Sequence, residues 1–274
     1  MTPPPISSLS GPIVLAGAGK MGSAVLTGWL AGGLDPKSVV VIEPHPSDEV
    51  KALAALGVRL NPPADDIGTA ATVLLAVKPQ TFRDAAPLVR PLIAPTTLVI
   101  SVMAGITIAS ITQACGGSVV RTIPNTPAAI GRGITAAAPG PNVTAAQRDV
   151  TDTLLRATGV VEWIDDEAMI DAVTAVSGSG PAYVFLLAEE MAKAGEAAGL
   201  PADLAARLAR ATVSGAGELL HRSDLDPATL RKNVTSPAGT TAAALAVLMA
   251  DDGFEPLLKR AIAAATARSK ELAG

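Results

Sequence analysis

Ile13-Val14-Leu15-Ala16-Gly17-Ala18-Gly19-Lys20-Met21-Gly22 is a short apolar run that ends in G-x-G-x-x-G and leads into a helical stretch, Ser23–Ala31. The three glycines of such a turn have separate jobs. The first makes the tight bend, the second lets a pyrophosphate approach the backbone, and the third lets helix and strand pack closely. The helix N-terminus contributes amide donors and positive dipole to the phosphates. In this strand–turn–helix context Gly17–Gly22 predicts a dinucleotide site.

Glu43 closes the next apolar run, Val39–Ile42, about twenty residues beyond the turn. An acid there accepts hydrogen bonds from the adenosine ribose and repels a 2′-phosphate, which favours NADH over NADPH. A protonated His45 would offset part of that repulsion. The alternative is a solvated carboxylate at a strand end.

Apolar runs and helical stretches alternate from Ile13 to about Val161. Candidate strands are Ile13–Ala16, Val39–Ile42, Val73–Val77, Leu98–Val102 and Val119–Arg121. They are continuously apolar, as parallel strands buried on both faces are. Helical stretches near Ser23–Ala31, Pro46–Leu56, Pro79–Leu92 and Ile108–Ala114 separate them. The pattern predicts an α/β Rossmann domain with a doubly wound, mainly parallel sheet over residues 13–164. From 165 to 274 helical stretches take over: Pro181–Ala198, Ala202–His221, Pro227–Lys232, Thr240–Met249 and Glu255–Leu272. That half predicts an all-α C-terminal domain. Residues 1–12, rich in Pro and Ser, read as a loose tail without the marks of a signal peptide.

Composition narrows the function classes. Of 274 residues 49% are apolar and mean hydropathy is +0.41. Runs such as Val73–Val77 and Ala242–Ala250 still fall short of the ~20 residues of a spanning helix, so no membrane association is expected. Net charge is −4, from 21 basic and 25 acidic residues without a basic cluster. The electrostatic footprint of a nucleic-acid binder is missing. A single cysteine, Cys115, excludes an internal disulfide, and with only two histidines no metal site is expected. These features together point to a cytoplasmic protein. Ala-rich helices suggest tight helix–helix contacts, including contacts between subunits.

Further motifs stand at the ends of these runs. Ala76-Val77-Lys78-Pro79 closes the third strand at what should be the sheet's carboxyl edge, facing a cofactor or forming a surface turn. Ser101-Val102-Met103-Ala104-Gly105 ends the fourth, with small residues that let a nicotinamide lie against backbone. Arg121-Thr122-Ile123-Pro124-Asn125-Thr126-Pro127 makes a rigid polar loop that suits a ligand or any stiff turn. Ala175-Val176-Ser177-Gly178-Ser179-Gly180-Pro181-Ala182-Tyr183 opens a long helix, allowing close approach of a ligand or of another helix. Asn233-Val234-Thr235-Ser236-Pro237-Ala238-Gly239-Thr240-Thr241 runs into a helix, offering N-terminal amides and hydroxyls to a small carboxylate. A plain N-cap would use only one of those hydroxyls.

Together these blocks resemble the pyrroline-5-carboxylate reductase family, whose order and spacing they follow from about Ile13 to Lys270. The resemblance implies a Rossmann domain, a helical dimerisation domain, and reduction of 1-pyrroline-5-carboxylate to L-proline. It implies cofactor contacts at Ala16, Gly17, Ala18, Gly19, Lys20 and Met21, at Ala76, Val77, Lys78 and Pro79, and at Val102, Met103 and Ala104. Asn233 matches a residue near the nicotinamide ribose. Val234, Gly239, Thr240 and Thr241, with Ser236 in the same loop, match the substrate-carboxylate site. Thr241 also matches a hydroxyl close to the ring nitrogen, and Asp224 stands where relatives often carry Glu near the substrate. Thr241 and Asp224 are thus the catalytic candidates. Glu43 stands where NADPH-using relatives often have Ser or Thr, so NADH and NADPH both stay open. Ala238 replaces a frequent glycine, a small change expected to leave the loop's shape intact.

The implied chemistry is hydride transfer from nicotinamide C4 to C5 of a cyclic imine. The cation on the protonated imine nitrogen could be stabilised by Asp224 or by the Thr241 hydroxyl. Lys78 would reach cofactor phosphate or ribose, or act as a general acid. The implied partners are a small-molecule substrate and a second copy of the chain, a homodimer with further assembly left open. A β-hydroxyacid dehydrogenase also joins a Rossmann domain to a helical one, but needs a helix lysine. Here the aligned helix offers only Lys193, and the Ser-Pro-Ala-Gly-Thr-Thr loop has no counterpart there. A non-catalytic dinucleotide-sensing protein is the remaining alternative, without a DNA-binding helix signature to support it.

Overall fold

Val39-Val40-Val41-Ile42 and Thr72-Val73-Leu74-Leu75 are β-branched and aliphatic throughout, which favours a pleated chain that can bury both faces. In the computed structural model, which describes residues 3–273, they become the two neighbours of an interior strand of a sheet. The first stretch of chain supplies β1 (Ile13–Ala16), α1 (Lys20–Ala31), β2 (Val39–Ile42), α2 (Asp48–Leu53), β3 (Arg59–Leu60), α3 (Ala64–Ile67) and β4 (Thr72–Leu75). It continues with α4 (Phe82–Val89), β5 (Leu98–Ser101), α5 (Ile108–Cys115), β6 (Ser118–Ile123), β7 (Gly133–Pro139), α6 (Ala145–Arg156) and β8 (Gly159–Trp163).

The eight strands lie in the order β3-β2-β1-β4-β5-β6-β7-β8. Every pair is parallel except β6–β7. Side chains alternate across the sheet. Val14, Ala16, Val73, Leu75 and Val99 pack with Phe82, Val89 and Ile111 on one face. Ile13, Leu15, Leu74 and Ile100 pack with Val25, Leu26, Trp29 and Leu155 on the other. The doubly wound sheet expected from the alternating pattern is therefore present. Three expected strands shift in length: Val73–Val77 is Thr72–Leu75, Leu98–Val102 stops at Ser101, and Val119–Arg121 extends to Ser118–Ile123.

The described part of residues 1–12 makes local contacts with the sheet-containing unit. Ile6–Ser8 forms a 3-10 turn, Ile6 and Leu9 pack against the core, and the Thr153 hydroxyl donates to Pro4 O at 2.8 Å. Met1 and Thr2 lie outside the described residues.

The remaining helices are α7 (Ile170–Val173), α8 (Gly180–Ala197), α9 (Ala202–Arg222), α10 (Pro227–Asn233), α11 (Thr240–Leu248) and α12 (Phe254–Ala273), with a π-turn over Thr174–Gly178. The chain divides into two compact units. One runs to Gly178 and takes in the chain from Thr266 onward, and the other is Ser179–Ala265. Residues 165–178 and the last turns of α12 thus count with the sheet rather than with the helical unit. Within the helical unit α8 and α9 pack together, with Ala205 and Ala209 buried. The helical run Glu167–Ala197 is long and apolar enough, by length and composition, to cross a membrane. The short apolar runs of the sequence did not anticipate it. Its Asp171 accepts from Ser269 at 2.6 Å and its Glu189 and Glu190 pair with Lys193, a polarity that hydrocarbon would penalise.

Candidate cofactor and substrate sites

Strand register brings the cofactor motifs together. Ala16 lies opposite Ile42 and Leu75, and Leu75 opposite Ser101, so Gly17, Glu43, Ala76 and Val102 leave the sheet side by side. Backbone hydrogen bonds tie them: Gly17 N–H donates to Ile42 O, Ala76 N–H to Ala16 O, and Val102 N–H to Leu75 O. This is the carboxyl edge of the parallel strands, where open α/β sheets hold their ligands.

The glycine turn has the cradle a pyrophosphate needs. Gly17 has φ +92°, and a Cβ on it would sit 2.7 Å from the Ala76 carbonyl carbon. A Cβ on Gly22 would collide with Gly17 O. A Cβ on Gly19 would meet nothing within 4 Å, so the second glycine alone opens to space. Gly19 is also the N-cap of α1, and no side chain among the described residues caps that helix. Its first-turn amides have no helical acceptor and face the opening with positive dipole. The residues present therefore fit a dinucleotide.

Glu43 is fixed from three directions. Its carboxylate accepts the Ala18 N–H at 2.8 Å and the His45 N–H at 2.9 Å. Asn61, in the left-handed region at φ +49°, accepts the Glu43 N–H and donates to Glu43 O. Glu43 is thus bound to the glycine turn itself, not freely solvated. Asn61 follows β3 and was not anticipated. Its place in Asn61-Pro62-Pro63 was the available signal, since Asn tolerates left-handed turns.

Lys20 and Lys78 are exposed beside these turns, and Lys78 O accepts from the Thr81 amide and hydroxyl. Met103 is 1% exposed and its side chain belongs to the core, so only its backbone can face a ligand. Ala104 is exposed and Val102 half-buried. Asn125 Oδ1 accepts from Ile134 N–H, so the Pro-Asn-Thr-Pro turn is stitched to β7.

The helical unit presents its own set between α9 and α11. Asp224 lies in an exposed bend after α9, and Asp226 two residues on is the N-cap of α10. Hydrogen bonds from the Thr229 hydroxyl and amide hold the Asp226 carboxyl below its usual range. Asn233 ends α10 and Val234 is exposed just after it. Gly239 N–H donates to Ser236 O at 3.1 Å, closing a turn with Ala238 at φ +57°. Ala238 thus occupies a left-handed position that favours glycine. A Cβ on Gly239 would collide with the Ser236 hydroxyl. Gly239 caps α11 without a side-chain bond, Thr240 and Thr241 form its first turn, and Thr241 is half-buried. Neither hydroxyl is consumed as the N-cap. Among the described residues no cluster of His, Cys, Asp and Glu could hold a metal ion.

The chain is 40% identical over 264 residues to a pyrroline-5-carboxylate reductase of Pseudomonas aeruginosa, covering 95% of this chain and 96% of that one. The chain belongs to the pyrroline-5-carboxylate reductase family. The pea (Pisum sativum) enzyme of that family is 36% identical over 270 residues, with 98% of each chain covered. A family model for pyrroline-5-carboxylate reductase dimerisation matches residues 167–272, and one for NADP oxidoreductases dependent on coenzyme F420 matches residues 12–105. Among solved structures, the family's Coxiella burnetii member superposes with a TM-score of 0.89 at 32% identity, covering 97% of this chain and 100% of that one. The Plasmodium falciparum structure, described with NADP bound, gives 0.79 at 26% identity over 97% of this chain and 99% of its own. Family members are pyridine-nucleotide oxidoreductases, in keeping with the glycine turn.

Proposed function

We propose that the protein reduces 1-pyrroline-5-carboxylate to L-proline with a hydride from NAD(P)H. The observation that carries this reading is full-length likeness to reductases of that name, which spans both the cofactor turns and the Ser-Pro-Ala-Gly-Thr-Thr loop. When bound, the reduced nicotinamide supplies the hydride. Gly17–Met21 and the α1 N-terminus hold the pyrophosphate, while Ala76–Pro79 and Val102–Ala104 line the nicotinamide end. The α11 N-terminus and Ser236 hold the substrate carboxylate. The Thr241 hydroxyl meets the imine nitrogen, and Asp224 favours its protonated form, which makes C5 more electrophilic. Orientation supplies much of the barrier reduction.

Glu43, held on the Ala18 amide, makes NADH the preferred donor in this reading, because a 2′-phosphate would face its carboxylate. The protein works as a homodimer through the region that matches the dimerisation model. Its single buried cysteine suits a reducing, cytoplasmic setting. Initial rates with 1-pyrroline-5-carboxylate, run with NADH and NADPH in parallel on wild type and Glu43→Ser, test the reading. Proline should form, and the kcat/KM ratio should move toward NADPH in the variant by about tenfold or more. Absence of turnover with either donor would overturn the function, and an unchanged ratio the role of Glu43.

A further inference from the structure

Arg121 and Glu167 are used by nothing described so far. Arg121 lies in β6 opposite Ser101 and is 4% exposed. Its Nη1 donates to Glu167 Oε1 at 2.8 Å. That same oxygen accepts the Ile108 N–H at 2.8 Å, the first amide of α5. Arg121 Nε is buried and finds no hydrogen-bond partner among the described residues. A buried guanidinium with an unsatisfied nitrogen is a poor stabiliser, because apolar side chains of the same volume often do as well or better. Stability alone therefore does not account for it.

Between Ser101, the end of β5, and Ile108 runs the turn Val102–Thr107. Its first end is pinned to the sheet: Val102 N–H donates to Leu75 O, Met103 N–H to Ser101 Oγ, and the Thr122 hydroxyl to Ser101 O. Its far end is pinned by Glu167, which Arg121 in turn holds against β6. Glu167 begins a short 3-10 turn whose successor Ile170 is 1% exposed in the same core as Met103, Ile108 and Ile123.

We propose that Arg121 and Glu167 form a positioning clamp that fixes Val102–Thr107, and through it the angle at which the nicotinamide ring is presented. This rests on the reading that Val102–Ala104 lines the nicotinamide end. The clamp touches neither substrate nor cofactor and acts only through the turn. Loosening it widens the range of donor–acceptor geometries while leaving the pyrophosphate cradle intact.

The test uses full-length protein. Arg121→Met/Glu167→Gln removes the charge pair yet leaves an amide oxygen for Ile108 N–H, and Arg121→Lys keeps a cation able to make the single bond seen here. For the double variant we expect NADH affinity within about threefold of wild type, kcat lower by about tenfold, and a larger primary isotope effect with 4-deuterated NADH. The fluorescence emission of bound NADH, which reports the surroundings of the ring, should shift as well. Arg121→Lys should restore kcat to within about threefold. A folded double variant with a lower Tm but wild-type kcat, isotope effect and NADH emission would reduce the pair to a structural role and overturn the proposal. If the double variant fails to fold, Glu167→Gln takes its place: a lower kcat with a larger isotope effect and a shifted NADH emission is expected, and wild-type values of all three overturn the proposal. Ala104→Leu separates the two layers. If it changes neither NADH affinity nor kcat, the reading of the turn falls and the clamp with it. If it changes them while the pair variants do not, the clamp alone falls.

Discussion

At the scale of single residues, the three glycines of the turn make unequal probes. Substitution of Gly17 or Gly22 forces backbone apart, so lost binding there would be confounded with lost folding. Gly19 has open space where a side chain would go. Gly19→Val should therefore fold with a near-native Tm and lose at least tenfold in dinucleotide affinity, about 1.4 kcal/mol by calorimetry. Native affinity would mean the turn is no phosphate cradle. Thr241→Ala probes the proposed substrate loop. A hydrogen bond to a charged group contributes roughly 1.5–3 kcal/mol, so kcat/KM for the imine should fall about ten- to over a hundredfold, with NADH affinity unchanged. A fall of less than twofold would leave Thr241 as a plain helix residue. The glycine turn and Glu43 were legible because each motif stands within a few residues of a strand end. Arg121 and Glu167 were not, since 46 residues separate them and only the sheet brings them together. The core-facing side chain of Met103 was hidden for the same reason, as its neighbours come from other elements.

At the scale of elements, legibility followed residue chemistry. β1 and β2 have the bounds expected of them because Ile13–Ala16 and Val39–Ile42 are unbroken apolar runs bounded by Pro and Gly or by Ser and Glu. β7 was missed: Gly133-Ile134-Thr135-Ala136-Ala137-Ala138-Pro139 carries three alanines, which argue for helix, and only its place between β6 and β8 makes it a strand. β8 and the two-residue β3 were missed as well. α6 announced itself, unread, through Thr144-Ala145-Ala146-Gln147, whose side chains form a capping box. The N-cap of α10 carries a pH dependence. Asp226 has its pKa lowered, first by the Thr229 hydroxyl, so its contribution to α10 is full above the ordinary carboxylate range. That contribution is lost as pH falls through the depressed folded value. Acid titration followed by NMR should show the Ala228 and Thr229 amides moving together at a pH below that of an unperturbed aspartate. In Asp226→Asn the step should vanish, and a step at the ordinary carboxylate pH in wild type would contradict the cap.

At the scale of the whole molecule, the helical unit cannot be content alone. Val184, Phe185, Leu186 and Leu187 are consecutive, hence on all sides of α8, and each is more than 40% exposed. α8 has no buried residue at all. A helix apolar all round belongs in an interior, and the match to a dimerisation model says where that interior comes from. Light scattering should find a dimer or larger assembly at micromolar concentration, and Phe185→Glu should yield monomer or aggregate. A wild-type monomer at that concentration would contradict this expectation.

Trp29, described above as part of the core, also divides the molecule optically. It is 0% exposed in α1, with its indole N–H donating to Leu154 O. The second tryptophan, Trp163, lies in the same unit with Arg148 over its ring, while the single tyrosine, Tyr183, lies in the helical unit. Both indoles thus report from the sheet-containing unit, whereas far-ultraviolet ellipticity draws on the helices of both units. Denaturation curves from the two signals will coincide only if the units come apart together, which makes this pair of chromophores a direct gauge of their cooperativity. Since α1 starts at the glycine turn, Trp29 can also serve as an energy donor to a reduced nicotinamide dinucleotide that binds there, giving a titration that needs no substrate and no label.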